Sequence, residues 1–284
     1  MKKLLRLAVL PFTAAAVFAS GPAFQERLGL QLWSLREQMK QNELAALDLA
    51  KITGLKYVET AGTGRLGAEK FVEELKKRDL NPVSGHWGYQ ALKKDVNAVI
   101  KEAKTLGVTY VICPMLPYQE GSTFTAEDAR KAAAEFNEWG AALKAAGLKF
   151  GYHPHGAEFA KIEGGELAFD VIMRETKPEL VTYEMDVFWV AHAGVDPEKL
   201  LRKYPNRWTM LHVKDLRKGA ATGKPTPHRP ATDNVPVGEG QIDWPGVLRA
   251  AQDIGVEYYF IEDETTDALS CIPRSLRYLN GLTL

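Results

Sequence analysis

Ala145-Ala146-Gly147-Leu148-Lys149-Phe150-Gly151-Tyr152-His153-Pro154-His155 contains one whole unit of this chain. A helix closes on a glycine, which can take the left-handed backbone conformation that ends a helix. A short apolar strand follows, and two imidazoles stand at its end. The helix-Gly-strand punctuation recurs at Ile52-Thr53-Gly54-Leu55, Thr105-Leu106-Gly107-Val108 and Asp253-Ile254-Gly255-Val256. Strand-length runs rich in β-branched or aromatic residues fall at Leu28–Ser34, Lys56–Thr60, Pro82–His86, Tyr110–Pro114, Lys149–His153, Val181–Asp186, Trp208–Lys214 and Tyr258–Glu262. Helical patterns lie between them. The longest is Ala126–Ala146, where Thr125 and Asp128 predict a capping box with Asp in the Glu/Gln place. Eight strands, each followed by a helix, predict an α/β fold of the (β/α)8 TIM barrel type. An open doubly wound sheet also alternates, but no Gly-rich phosphate fingerprint follows the first strand.

The N-terminus reads as an export signal. Lys2, Lys3 and Arg6 precede the apolar, Ala-rich stretch Leu7–Phe18, and small residues near Ala19 and Ala23 suit cleavage. The expectation is a signal peptide over residues 1–23, a barrel domain over 24–284, and a periplasmic or secreted protein. The apolar stretch is too short for a stable membrane span. Lys and Arg number 36 against 36 Asp and Glu, so no basic footprint for nucleic acid is present. Two cysteines, Cys113 and Cys271, are too few for a disulfide framework, and Cys113 sits in an apolar run that predicts a buried, inert thiol.

Acids and imidazoles gather at the ends of the last four barrel strands: His153 and His155, Glu184 and Asp186, His212 and Lys214, Glu262 and Glu264. Residues two apart share a strand face, so each pair points one way. A single such histidine is more often structural; four such strand ends favour one shared site. Carboxylate with imidazole suits a divalent Mn2+, Co2+, Fe2+ or Zn2+, and the absence of cysteine from the set argues against a structural zinc. The best ligand set is His153, Asp186, His212 and Glu262, with His155, Glu158 and Glu264 as competitors. Lys214 could hold a substrate oxygen or pair with an acid, Asp215 or a rim glutamate. Glu59, His86 and Trp87 end the second and third strands and could line a sugar cavity. Trp33 and Trp189 could supply a flat wall for a sugar ring or simply pack. The long irregular stretch Arg217–Gln241 follows the seventh strand, on the rim where barrel sites are built. No Gly-x-Ser-x-Gly elbow or Walker motif occurs, and Gly62-Thr63-Gly64 is no dinucleotide fingerprint.

Tyr152-His153-Pro154-His155 with Glu158, Glu184-Met185-Asp186-Val187-Phe188-Trp189, Leu211-His212-Val213-Lys214-Asp215, Val237-Gly238-Glu239-Gly240-Gln241-Ile242-Asp243-Trp244 and Tyr259-Phe260-Ile261-Glu262-Asp263-Glu264 together resemble the sugar phosphate isomerase/epimerase family. That family lies in the xylose isomerase-like barrel superfamily, with ketose 3-epimerases, inosose dehydratases and type IV apurinic endonucleases. The resemblance covers the mature chain and is densest from Gly147 to Glu264. It implies one divalent metal on Glu, Asp, His and Glu at the ends of strands five to eight, which map onto His153, Asp186, His212 and Glu262. The first departs: His153 stands where an epimerase has a glutamate that moves protons. A nuclease relative would need three metals and a basic face, which the neutral charge and export signal disfavour.

The expectation is therefore a metal-dependent sugar isomerase or epimerase acting on an unphosphorylated carbohydrate. It would remove a proton next to a carbonyl through an enediolate, with Glu262, Glu158 and His155 as candidate bases and Lys214 steadying the oxygen. The alternatives are a lyase or dehydratase eliminating from a 3-keto-sugar or inosose, and a non-catalytic sugar-binding barrel. The sequence does not set an oligomeric state.

Overall fold

The computed structural model describes residues 23–284. The remainder of the expected signal peptide, 1–22, lies outside the described residues. Eight parallel strands close a barrel: β1 (Leu28–Gln31), β2 (Tyr57–Thr60), β3 (Asn81–His86), β4 (Tyr110–Cys113), β5 (Lys149–Tyr152), β6 (Val181–Asp186), β7 (Trp208–Val213) and, last, β10 (Tyr258–Ile261). β1 pairs with both β2 and β10, which completes the ring. Each barrel strand is followed by at least one helix, so the fold is the expected (β/α)8 barrel. Between β7 and β10, β8 (Asp215–Leu216) and β9 (Asn234–Val235) form a small antiparallel ribbon that ties together the two ends of the long loop. Among the described residues, no helix is long and apolar enough to cross a membrane.

The helix stops act as read. Gly54, Gly107, Gly147 and Gly255 have φ of +79°, +75°, +80° and +80°. The capping box is present: Asp128 N–H donates to the Thr125 hydroxyl at 3.1 Å, and Thr125 N–H to Asp128 Oδ2 at 2.9 Å. Strand ends differ from expectation. β1 stops at Gln31, and Leu32–Leu35 forms a 3-10 turn started by the Gln31 side chain, which accepts from Trp33 N–H at 3.0 Å. Pro114, His153, Lys214 and Glu262 likewise fall just past the ladder, so the ends of the runs serve the rim rather than the sheet.

The core has two shells. Outward-facing strand residues such as Phe150, Tyr152, Tyr183 and Trp208 pack under the helices with Phe136 and Phe169. Inside the barrel, Val83, Tyr110, Ile112, Met210 and Phe260 form a separate apolar plug. Gly29 makes room for it: a Cβ there would stand 2.7 Å from the Phe260 ring. Both cysteines are free and buried, and burial pushes the Cys113 thiol up to about 12, which leaves it inert.

Candidate metal centre at the barrel mouth

Above the apolar plug the barrel interior turns polar in two layers. Strand alternation points Tyr183 and Met185 outward into the helical shell and leaves Glu184 and Asp186 facing inward. Register then places Asp186 beside His212, and His212 beside Phe260 at the top of the plug.

The lower layer is a dense hydrogen-bond network in which Glu184 Oε1 alone of its carboxylate oxygens is without a partner. Glu59 Oε1 lies 2.5 Å from Gln31 Nε2, 2.9 Å from His86 Nε2 and 2.7 Å from His212 Nε2. Its Oε2 accepts from the Ser84 hydroxyl at 2.6 Å. Glu184 Oε2 lies 2.9 Å from His153 Nδ1 and 3.2 Å from both His86 Nε2 and His212 Nε2. Burial works against charge on His86, yet Glu59 and Glu184 outweigh it and raise the ring to about 9. Burial and Glu59 also oppose charge on Glu184, but His212 and His153 bring it down to about 2.

The upper layer is looser. His212 Nδ1 is 3.2 Å from Glu262 Oε2 and 3.9 Å from Asp186 Oδ2. His153 Nε2 is 3.7 Å from the same Asp186 oxygen, and Lys214 Nζ is 3.6 Å from it. That oxygen is buried and has no hydrogen-bond partner. A buried carboxylate oxygen facing two imidazole nitrogens beyond hydrogen-bond range is what a shared cation would complete; the Lys214 ammonium has no lone pair to offer it. Bonds of about 2.0–2.2 Å from one ion leave its donors about 3–4 Å apart, which matches these spacings. Asp186, His212 and Glu262 form one group of suitable donors, and His86, His153, Glu184 and His212 a second. The two share His212. His153 belongs to the lower group through Nδ1 and turns Nε2 toward the upper one.

Lys214 is fully buried beside this gap. Its ammonium lies 3.0 Å from Glu262 Oε2 and 2.5 Å from Glu264 Oε2, and it does not pair with Asp215. Burial disfavours its charge, but Glu262, Glu264 and Asp186 hold its pKa above the usual lysine range. Asp215 instead secures the loop motif Val237–Trp244. Its two oxygens accept backbone N–H groups from Leu216 (2.8 Å), Gly238 (2.9 Å), Gly240 (3.1 Å) and Ile242 (3.3 Å).

Other expected site residues separate. His155 stays at the mouth, its ring 4.7 Å from His153 and 5.3 Å from Trp189, with Nδ1 unpaired. Burial, then Lys214, pushes it down to about 4, so the imidazole is neutral. Glu158 is not brought to the centre. Its carboxylate accepts from the Tyr152 hydroxyl and from Gly156 N–H, and Tyr152 packs on Phe136 of the outer shell. Tyr152 and His153 are adjacent, so the strand sends them to opposite faces. Glu59 is fully buried inside the network rather than lining a cavity, and His86 shares that network at its edge. Trp87 turns to the helix Val96–Leu106, where its Nε1 donates to Glu102 at 2.8 Å. Trp189 is buried under the Lys214 ammonium, while Trp33 is 43% exposed and donates to Glu264 at 3.3 Å.

Arg229 also reaches the mouth, and no motif in the sequence surrounds it. The long loop carries its guanidinium to 3.2 Å above the Phe188 ring and 3.9 Å from Glu264. For Glu184, the signal in the sequence is its period-two spacing from Asp186, which puts both on the inner face.

A family model described as a xylose isomerase-like TIM barrel matches residues 47–281, and the chain belongs to that family. An inosose dehydratase of Clostridium perfringens is 28% identical over 159 residues, covering 53% of this chain and 52% of the relative. The chain spans about a third to a half of the length of the curated relatives it matches. A crystal structure of a sugar phosphate isomerase/epimerase from Parabacteroides distasonis superposes with a TM-score of 0.73 at 22% identity, covering 90% of this chain and 98% of the other. IolI, solved with a bound zinc atom, superposes with a TM-score of 0.65 at 16% identity, covering 89% and 95%. These two likenesses are of fold.

Proposed function

We propose that this barrel is a metal-dependent lyase of the dehydratase type, acting on an unphosphorylated keto-sugar or keto-cyclitol. The observation that carries the reading is the state of His153. Its Nδ1 is held by Glu184 at 2.9 Å, and its Nε2 is turned toward Asp186 at 3.7 Å, where the lone pair would serve a bound ion rather than a substrate proton. A symmetric exchange needs a proton-handling group on each face of the substrate, and the expected second glutamate is missing. The likeness to inosose dehydratases supports the same reading over the isomerase expected from the sequence.

The residues that would hold the ion are Asp186, His212 and Glu262, with His153 beside them. A divalent ion bound there would supply Lewis acidity toward a carbonyl. The chain's own groups supply the rest. His155, neutral and with Nδ1 unpaired, takes the proton from the carbon next to the carbonyl. The electron pair of that C–H bond moves onto the carbonyl as an enolate, and as the carbonyl re-forms that pair makes the new carbon–carbon double bond and the β C–O bond breaks. The His155 imidazolium then protonates the departing hydroxyl, and water leaves from the face where the proton was removed. Lys214, fixed between Glu262 and Glu264, donates to the developing oxyanion. The buried ring of Trp189 walls off bulk water beside His155.

Incubating metal-loaded protein with inososes, 3-keto-glycosides and free ketoses in D2O tests this by NMR. Loss of water from one of them, with formation of an enone or its diketone tautomer, is expected. Deuterium exchange with isomerisation and no loss of oxygen would overturn it. Export belongs to the same proposal and supports an unphosphorylated substrate. The native protein should begin near Phe24 by mass spectrometry, and a full-length soluble cytoplasmic form would remove that support.

A further inference from the structure

Next to the centre lies a cavity of about 360 Å³ that the proposed chemistry does not use. It sits between the segments that leave β1 and β2, on the same rim as the metal ligands. Its exposed lining is mostly apolar, from Leu32, Trp33 and Met39 on one side and Ala61 and Phe71 on the other, with three basic side chains and Glu43 also reaching it. A volume of this size and lining is what small-molecule sites use.

Two features make it a built site rather than a surface dent. The first is rigidity. Glu43 is buried and accepts the backbone N–H of Arg65 at 2.5 Å, pinning the loop Gly62-Thr63-Gly64 that forms one wall. A Cβ at Gly64 would collide with the Glu43 carboxylate, and Gly62 and Gly64 have φ of +93° and +56°. The second is continuity with the centre. Trp33 lines the cavity, and its Nε1 donates to Glu264 Oε1 at 3.3 Å, while Glu264 Oε2 holds Lys214. Arg36 fixes this junction, donating to the carbonyls of Trp33 (3.2 Å), Asp263 (3.4 Å) and Glu264 (2.9 Å). Trp33 is also the largest side chain among the exposed hydrophobics of the described residues. An indole left open to water beside an apolar cavity offers a face for stacking.

We infer that this cavity is a second subsite, which binds a flat apolar group, aryl or fused-ring, carried as a substituent on the sugar held at the metal centre. The inference rests on the reading of the barrel as an enzyme of unphosphorylated keto-sugars and narrows its substrate class. A bare inosose would fill the centre and leave the cavity to water. A ring substituent would stack on Trp33 and bury against Met39 and Phe71.

Binding, not turnover, tests it. Phenyl β-D-glucopyranoside and methyl β-D-glucopyranoside lack the carbonyl and are not expected to react, and they differ only in the group meant for the cavity. Calorimetric titration of the metal-loaded protein should show the phenyl glycoside binding at least tenfold more tightly. Trp33→Ala removes the stacking face, and Ala61→Phe fills the cavity with the protein's own ring; each should bring the ratio to near one. Melting curves check that both variants are folded, and the partly exposed Ala61 site carries the test if Trp33→Ala is not. Equal affinities in the unmodified protein, or a ratio that survives the cavity-filling variant, would overturn the assignment. A dehydratase with no preference for the phenyl glycoside would lose the subsite alone. A phenyl preference in a protein that isomerises would lose only the proposed reaction.

Discussion

The two polar layers of the barrel use the same residue types and behave differently. In the lower layer, Glu59, Glu184, His86 and His212 meet at 2.7 to 3.2 Å, and both Glu59 oxygens are satisfied. In the upper layer, Asp186 Oδ2 stands 3.6 to 3.9 Å from Lys214, His153 and His212 and bonds to none of them. A charge network deep in a protein costs desolvation on every member, recovered only when each is paired. The lower layer recovers most of it internally, with Glu184 Oε1 left without a partner, and so acts as a platform. In the upper layer Asp186 Oδ2 is unmatched and the imidazoles of His153 and His212 stand beyond hydrogen-bond range of it, and that is where an outside cation fits. His212 joins the layers: Nε2 is fixed from below and Nδ1 is presented above, the arrangement in which a second partner orients a metal-binding imidazole.

The largest expected effect comes from the upper layer. Asp186→Ala and His212→Ala should each abolish stoichiometric metal by elemental analysis and bring activity below detection, with circular dichroism still that of a folded barrel. Metal lost in His212→Ala but retained in Asp186→Ala would place the ion in the other donor group, which shares His212, and metal retained in both variants would remove the assignment. Glu59→Gln breaks the platform instead. It removes a charge shared by His86 and His212, and stability should fall by on the order of 3 kcal/mol in denaturant titration. Metal should still bind at stoichiometric loading, if less tightly; a stable variant with no metal would mean that the platform is itself the site.

Lys214→Ala probes the edge of the upper layer. Loss of an oxyanion donor should lower kcat about 10²-fold with metal affinity scarcely altered. Normal turnover would remove that role. Glu158→Gln should matter least: kcat within about twofold, and stability lower by about 1 kcal/mol for a weakened bond to Tyr152. A large kcat loss there would put Glu158 back among the bases.

Spacing alone made much of this legible. The Gly-terminated helices and strand-length runs specify the barrel, because a glycine after four of the helices and a period of two along the strands are local properties. The pairs His153/His155, Asp186/Glu184, His212/Lys214 and Glu262/Glu264 were legible for the same reason. Three things were set only by tertiary structure. Glu158 lies five residues from His153, yet the outward turn at Tyr152 takes it to another shell. Glu59 and His86, far away in sequence, arrive under His212 because barrel closure brings β2 and β3 across from β7. Arg229 and the cavity beside Trp33 depend on how loops fold over the rim, and loops follow long-range contacts that no short-range period records. Period two in the sequence sets the face of most strand residues, the register shifts opposite Tyr183/Glu184 and at Val58/Glu59 excepted; only closure of the ring decides which faces meet, because that meeting joins residues as far apart as Glu59 and His212.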